Sequence, residues 1–330
     1  MENFPVISSI LSADHVGLML SERYGLSDGV SCTLLKAGIN HSYLVIHAAD
    51  KFIFRLYSLN WRSDLEINEE LRLLGALKEK GSPVSFPLKD VSDQYIQYLD
   101  APEGRRQGVL FSFAEGDKQL NFSADLHLKV GKEMAKIHQT TLNLKLERIT
   151  YSPKAVLEDS FLNLARFLPA DSEESAWMIY AKQYLSDEMN KADISQLRSG
   201  AVHLDIWFDN MNITKDGEVT IFDFDFCGNG WLAYDIAYYI LQLHSTEKDI
   251  SQRDLKIASF LKGYESVTKI TDEEKRMLPV LGVSLYFFYL GVQCERYENW
   301  SNVFLNETYL KRFINLLVRK YFEENVSSER

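Results

Sequence analysis

The stretch Ala201-Val202-His203-Leu204-Asp205-Ile206-Trp207-Phe208-Asp209-Asn210 is followed by Ile221-Phe222-Asp223-Phe224-Asp225. Between them, Asn212–Thr214 and Val219–Phe222 read as two short strands, and Lys215-Asp216-Gly217 joins them with the residues of a tight hairpin turn. Asp205 and Asn210 are five positions apart, and Asp223 lies thirteen beyond Asn210. A hairpin folds these three back on one another. Phosphoryl transfer to a hydroxyl needs a carboxylate that orients the acceptor and takes its proton. It also needs oxygen ligands for Mg²⁺, which neutralises charge on the β- and γ-phosphates. Asp205 suits the first role, Asn210 and Asp223 suit the second, and His203 suits a brace that holds the loop through hydrogen bonds. Asp225 has three open readings: a second metal contact, a group facing the acceptor, or a structural acid.

The pattern His-x-Asp-x-x-x-x-Asn with a downstream Asp resembles the protein-kinase catalytic loop and metal-binding Asp. Its form is closer to the aminoglycoside phosphotransferase and choline kinase superfamily, where His-Gly-Asp, four residues, Asn and a later Ile-Asp-Phe are typical. The run Asp223-Phe224-Asp225-Phe226-Cys227-Gly228-Asn229-Gly230, then Tyr234-Asp235-Ile236-Ala237, is similar to that superfamily's segment after the metal Asp. Within it, the nearest look is the group of bacterial small-molecule kinases that includes homoserine kinase type II. Leu204 stands where Gly is usual, and Phe226 where relatives often have another acid; neither change removes a group the chemistry needs. The resemblance implies ATP and Mg²⁺ as cofactors and the hydroxyl of a small molecule as acceptor. It also implies an α+β, bilobal protein-kinase-like fold. A small antiparallel β-sheet lobe with one helix, residues 1–115, would bind nucleotide. A mainly helical lobe with an embedded hairpin, residues 116–330, would carry catalysis and the acceptor, with Mg·ATP in the cleft. In this setting Asp235 reads as an N-terminal helix cap that also hydrogen-bonds the catalytic loop, and Asp209 as a residue pointing to solvent.

The first 115 residues fit such a lobe. A first helix falls within residues 6–25, strands are predicted at Cys32–Ala37, Ser42–Ala48 and Lys51–Tyr57, and a helix at Asp64–Lys80. Two further strands, Tyr95–Leu99 and Val109–Phe113, flank a polar turn at Pro102–Gln107. Ile53 and Arg55 share one face of their strand. Glu70 falls inside the apolar stripe Ile67, Leu71, Leu74, Leu77 of the following helix. An unpaired buried carboxylate costs several kcal/mol, so Glu70 calls for a cation, and Arg55 is the candidate. In the kinase arrangement such a pair holds the α- and β-phosphates, here with Arg in place of Lys; Ile53 would then lie against the adenine. The stretch Gly38-Ile39-Asn40-His41-Ser42-Tyr43 resembles the superfamily's phosphate loop, with backbone N–H groups from Asn40 to Ser42 toward phosphate oxygens. The edge backbone of Ser112 and Phe113 would meet the adenine.

Beyond residue 116, helices are predicted at Ser123–Thr141, Val156–Phe167 and Glu173–Asn190, and from Trp231 to Tyr321. His138 reads as a packing histidine with a satisfied hydrogen bond. For the acceptor site, Trp207, Phe208, Glu295, Tyr297, Glu298 and Trp300 offer an aromatic and acidic pocket suited to an amine; the alternative is core for the rings and a solvated face for the acids.

Composition narrows the class. The 330 residues are 46% hydrophobic and 25% charged, with a formal charge of −11, which excludes disorder and argues against a phosphate-binding nucleic-acid partner. Three scattered cysteines make neither a disulfide framework nor a zinc site. Without a basic, apolar leader, and with a longest apolar stretch near Val280–Val292, the expectation is a cytoplasmic protein with no membrane partner. The oligomeric state and the particular acceptor stay open. Two rivals remain: a Ser/Thr protein kinase of the same fold, disfavoured because no long activation segment ending in Ala-Pro-Glu follows Asp223, and a non-catalytic nucleotide-binding regulator, disfavoured by the complete carboxylate set.

Overall fold

The computed structural model describes residues 4–26, 29–301 and 304–326. The chain divides into two compact units, Met1–Glu115 and Gly116–Arg330.

The first unit is built on a five-stranded antiparallel sheet of β1 (Ser31–Ala37), β2 (His41–His47), β3 (Asp50–Leu56), β4 (Ile96–Ala101) and β5 (Gly104–Ser112), in the order β1-β2-β3-β5-β4. Alternation along β3 decides the packing. Phe54 and Leu56 join Tyr43, Val45 and Leu110 in a core closed by Val16 and Leu20 of helix α1 (Ala13–Arg23). The opposite face, with Arg55, receives α2 (Asp64–Glu79), whose Ile67, Glu70, Leu71 and Leu74 are buried. Ser63 starts α2 with a capping box to Glu66. The first helix is short and falls within residues 6–25, as the apolar spacing predicts; Ser12 caps it, so it begins at Ala13. The β4–β5 turn is tighter than predicted. The strands run on until Ala101 pairs with Gly104, leaving Pro102-Glu103 as the loop, with Gly104 at φ 143°.

The second unit is mainly helical: α3 (Ala124–Thr141), α4 (Ser160–Leu164), α5 (Glu173–Asn190), α6 (Ala233–Thr246), α7 (Ile250–Glu265), α8 (Asp272–Glu295), α9 (Glu307–Phe313) and α10 (Lys320–Asn325). Helices α3 and α7 cross in near contact at two glycines: a Cβ on Gly131 would sit 2.0 Å from the Phe260 carbonyl oxygen, and one on Gly263 1.9 Å from that of Leu128. Four short strands, β6 (Ser199–Val202), β7 (Met211–Ile213), β8 (Val219–Ile221) and β9 (Gly228–Trp231), form two antiparallel pairs, β6–β9 and β7–β8. The β7–β8 hairpin turns on Gly217, at φ 77°. Helix α8 has 24 residues, so it is long and apolar enough to span a bilayer, contrary to the shorter stretch read from sequence; 83% of its most apolar window is buried inside the protein.

Candidate active site

In the second unit, β6 delivers the chain into His203-Leu204-Asp205, and the β7–β8 hairpin brings Asn210 and Asp223 to one end. The ladder Met211–Ile221 continues outward as a hydrogen bond from the Phe222 N–H to the Asn210 carbonyl, 3.0 Å. Asn210 and the residue preceding Asp223 are therefore backbone neighbours. The Asn210 side chain closes the group: its Nδ2 donates to Asp205 Oδ2 at 2.7 Å and to the Asp205 carbonyl at 3.0 Å. With Nδ2 so engaged, its amide oxygen remains the oxygen donor type that a hard cation requires.

His203 braces this arrangement. Its Nδ1 accepts the Asp205 N–H at 3.1 Å, so Nε2 carries the proton and donates to the Phe222 carbonyl at 3.1 Å. Burial holds the ring's pKa below the ordinary histidine range, against the opposing charge of Asp235. The neutral tautomer fits a brace rather than a proton carrier. Phe224 packs on the same ring, centroids 4.3 Å apart.

Leu204 has φ 72° and is fully buried. This is the left-handed region, costly for a residue with a branched side chain. Two bonds hold it there: its N–H donates to Asp235 Oδ1 at 2.6 Å, and its carbonyl accepts from the Tyr289 hydroxyl at 2.7 Å. Asp235 Oδ2 also accepts the His203 N–H at 2.9 Å and His138 Nε2 at 3.0 Å. Burial alone would raise the Asp235 pKa, but these donors and the two histidines hold it below the usual carboxylate range. The expected N-cap role is thus corrected: Leu232 is the N-cap of α6, and Asp235, in the first turn, turns its carboxylate to the loop. His138 is fully buried, with Nδ1 on the Tyr264 hydroxyl at 2.7 Å, the satisfied packing histidine expected.

Asp205 has a partner that the sequence did not reveal. The Tyr238 hydroxyl, from α6, donates to Asp205 Oδ1 at 2.6 Å. Burial, and then the Asp205 charge, push the Tyr238 pKa well above the ordinary phenol value, so the hydroxyl stays a donor. Tyr289, from α8, packs against Tyr238 in a tilted arrangement with centroids 5.3 Å apart. Both tyrosines sit on helices buried nearly all round, where an aromatic reads as core.

Asp223 is half-buried and left-handed, φ 66°, a conformation Asp tolerates better than most residues. Asp225 is buried, and its carbonyl accepts from Arg148 Nη2 at 2.6 Å. Among the described residues, no three His, Cys, Asp or Glu side chains form a metal-holding group. One carboxylate and one amide oxygen, completed by phosphates and water, nevertheless suit Mg²⁺, which is commonly held by one or two carboxylates and the substrate. Asp209 does not point freely to solvent: Lys118 Nζ lies 2.6 Å from its Oδ1. In the expected acceptor set, Trp207 packs on Phe208 (4.6 Å) and Tyr297 on Phe167 (5.1 Å), while Glu295 and Glu298 are exposed. The Trp300 side chain lies outside the described residues.

In the first unit, Arg55 Nη1 meets Glu70 Oε1 at 2.7 Å, both buried. The Tyr57 hydroxyl donates to the other Glu70 oxygen at 3.0 Å, and the Phe111 ring lies 4.9 Å below the guanidinium. Ser42 pairs with Arg55 across the β2–β3 ladder, and Ile53 with Phe111 across β3–β5. The Gly38 N–H closes the turn on the Asn40 carbonyl at 3.1 Å. Asn40 Oδ1 accepts from the Ser58 N–H at 3.2 Å, and the Ser58 hydroxyl bonds the Ile39 carbonyl. Both main-chain groups of Ser112 have partners within the unit: its N–H donates to the Phe86 carbonyl at 2.9 Å and its carbonyl accepts from the Ser85 hydroxyl. Phe113, one residue further, carries Lys51 Nζ 5.1 Å from its ring centroid.

Residues 31–270 match the phosphotransferase enzyme family, APH. The chain belongs to that family and is a phosphotransferase that acts on hydroxyl groups. A homoserine kinase of Chelativorans sp. (strain BNC1) is 32% identical over 270 residues, covering 81% of this chain and 77% of the relative. Among solved structures, a microcompartment-associated aminopropanol kinase has the same protein-kinase-like fold (TM-score 0.76, 19% identity, 94% and 98% of the two chains). So does the amicoumacin kinase hAmiN, solved in complex with AMP-PNP, Ca²⁺ and Ami (TM-score 0.77, 19% identity, 94% of each chain).

Proposed function

We propose that the protein transfers the γ-phosphate of Mg·ATP to the hydroxyl of a small molecule, with amino alcohols first among the acceptors, then sugars and aminoglycoside-like compounds. The contact chain Asp205–Asn210–Phe222, ending beside Asp223, carries this reading. Asp205 orients the acceptor hydroxyl and takes its proton; Asn210 and Asp223 hold the magnesium. The bound ion would neutralise charge on the β- and γ-phosphates. His203 keeps Asp205 and the hairpin end together. Arg55, fixed by Glu70, holds phosphate oxygens with a guanidinium fork, the Asn40–Ser42 backbone covers the phosphates, and Ile53 and the Phe113 edge take the adenine. The residue roles are supported by the geometry and by the family motif. The choice of nucleotide draws on hAmiN, whose structure holds AMP-PNP, and the preference for amino alcohols on the homoserine and aminopropanol kinases.

A screen of ADP release with Mg·ATP over amino alcohols, choline-like amines, sugars and aminoglycosides tests the assignment. The expected result is stimulation by one chemical class and its loss in Asp205→Asn. Equal stimulation in Asp205→Asn would overturn the role of that carboxylate.

A further inference from the structure

The buried phenol of Tyr238 has no place in the roles assigned so far. It lies on α6, is 4% exposed, and gives its hydroxyl hydrogen to Asp205 Oδ1 at 2.6 Å. Asn210 occupies the other oxygen, Oδ2, at 2.7 Å. A carboxylate held at both oxygens from different directions cannot rotate about its terminal torsion without losing one bond. The backbone beneath it is held as firmly, with Leu204 fixed at N–H and carbonyl by Asp235 and Tyr289. Hydrogen bonds to a charged group are short and about twice as strong as neutral ones. Misplacing a reacting group by about 1 Å costs about a hundredfold in rate.

We propose that Tyr238 is a positioning residue that fixes the orientation of the Asp205 carboxylate for the incoming nucleophile, its hydroxyl acting on one oxygen while Asn210 holds the other. The proposal rests on the reading of Asp205 as the acceptor-orienting group. Tyr238 touches neither nucleotide nor acceptor in this role. Its whole effect on rate passes through Asp205, whereas a tyrosine that merely filled the core would act on stability alone.

The test is a double-mutant cycle on ADP release from Mg·ATP, with water as the acceptor or, where that rate is too low to read, with the acceptor class that the screen identifies. Tyr238→Phe keeps the ring against Tyr289 and removes only the hydroxyl. It is expected to lower kcat about tenfold, with KM for ATP within about twofold of wild type, since the ATP-binding groups are untouched. In the Asp205→Asn background the same substitution is expected to have no further effect, because both changes remove one function. Tyr286→Phe is the matched control. It removes a buried phenol whose partner is Ser245, 3.0 Å away, and is expected to leave ADP release unchanged. If Tyr238→Phe melts too low for assay at about 25 °C, the cycle is run near 10 °C.

A kcat for Tyr238→Phe equal to wild type, with Asp205→Asn impaired, overturns the inference and leaves the assignment of Asp205 standing. Multiplicative losses in the double variant also overturn it, since they place the tyrosine's effect elsewhere. A wild-type rate in Asp205→Asn, or no ADP release from the wild-type protein with water or with any acceptor of the panel, contradicts the proposed function itself and takes this inference with it.

Discussion

Asp235 accepts the main-chain N–H of Leu204 at 2.6 Å across 31 residues of sequence. That bond pins a buried leucine in the left-handed region, φ 72°, which favours glycine. The same carboxylate takes the His203 N–H and His138 Nε2. One first-turn acid therefore sets the backbone that presents Asp205.

Leu204 reverses the usual order of alanine and glycine. Truncating a fully buried leucine costs about 2–5 kcal/mol. Alanine keeps the Cβ that clashes at positive φ, a cost of about 1–2 kcal/mol that glycine lacks. Urea unfolding is expected to find both variants weaker than wild type, with Leu204→Gly the more stable of the two by about 1 kcal/mol. A more stable Leu204→Ala would show that the left-handed backbone carries no strain.

Asp235→Asn leaves one oxygen where two served three donors, and turns an amide nitrogen toward N–H groups. Loss of hydrogen bonds to a buried charge costs about 1.5–3 kcal/mol each. Calorimetric melting is expected to show a loss of at least about 3 kcal/mol, with ADP release falling as the Asp205 loop relaxes. A melting curve superposable on wild type would remove Asp235 from this account.

Glu70→Ala removes the carboxylate that the buried Arg55 guanidinium meets at 2.7 Å. Removing one partner of a buried pair costs about 3–5 kcal/mol. If Arg55 holds phosphate oxygens, KM for ATP rises about tenfold alongside the stability loss. Steady-state kinetics at temperatures where the variant is folded separates the two effects; an unchanged KM would leave Arg55 a structural residue.

His127 is buried, stacks on Phe122 at 4.1 Å, and bonds the Tyr239 hydroxyl at 2.7 Å. Burial, and then the nearby Lys256, push its pKa down to about 4. The unfolded chain binds a proton at this residue below about pH 6.5 and the folded protein does not until about pH 4, so stability falls with pH across that window. Between pH 7 and 5 the contribution is about 2 kcal/mol. His127→Gln is expected to flatten that part of the stability curve; equal slopes in the two proteins would contradict a neutral buried imidazole.

How far the sequence reading reached depends on the range over which each signal acts. The β7–β8 hairpin and the meeting of Asn210 with Asp205 rest on a Lys-Asp-Gly turn and a five-residue spacing, both local. The Arg55–Glu70 pair followed from face counting, because a carboxylate inside an apolar stripe admits few partners. The β6–β9 pair escaped. Each strand has four residues, and their partners lie about thirty positions apart with the whole β7–β8 hairpin between them. Tyr238 and Tyr289 escaped for another reason: on helices buried nearly all round, hydropathy does not single out the phenol that meets a carboxylate. The Ser112 N–H could not be seen to be engaged, because Phe86 reaches it from a segment with no regular periodicity.

Asn210 and Asp223 are the proposed holders of a divalent ion beside Asp205. Calorimetric titration of Mg²⁺ into the protein saturated with AMP-PNP tests that assignment most directly. Asp223→Ala is expected to weaken the magnesium affinity by at least about tenfold in a protein that still folds, its melting temperature lower by the few degrees that alanine costs at positive φ. A folded Asp223→Ala that binds the ion as tightly as wild type would contradict it.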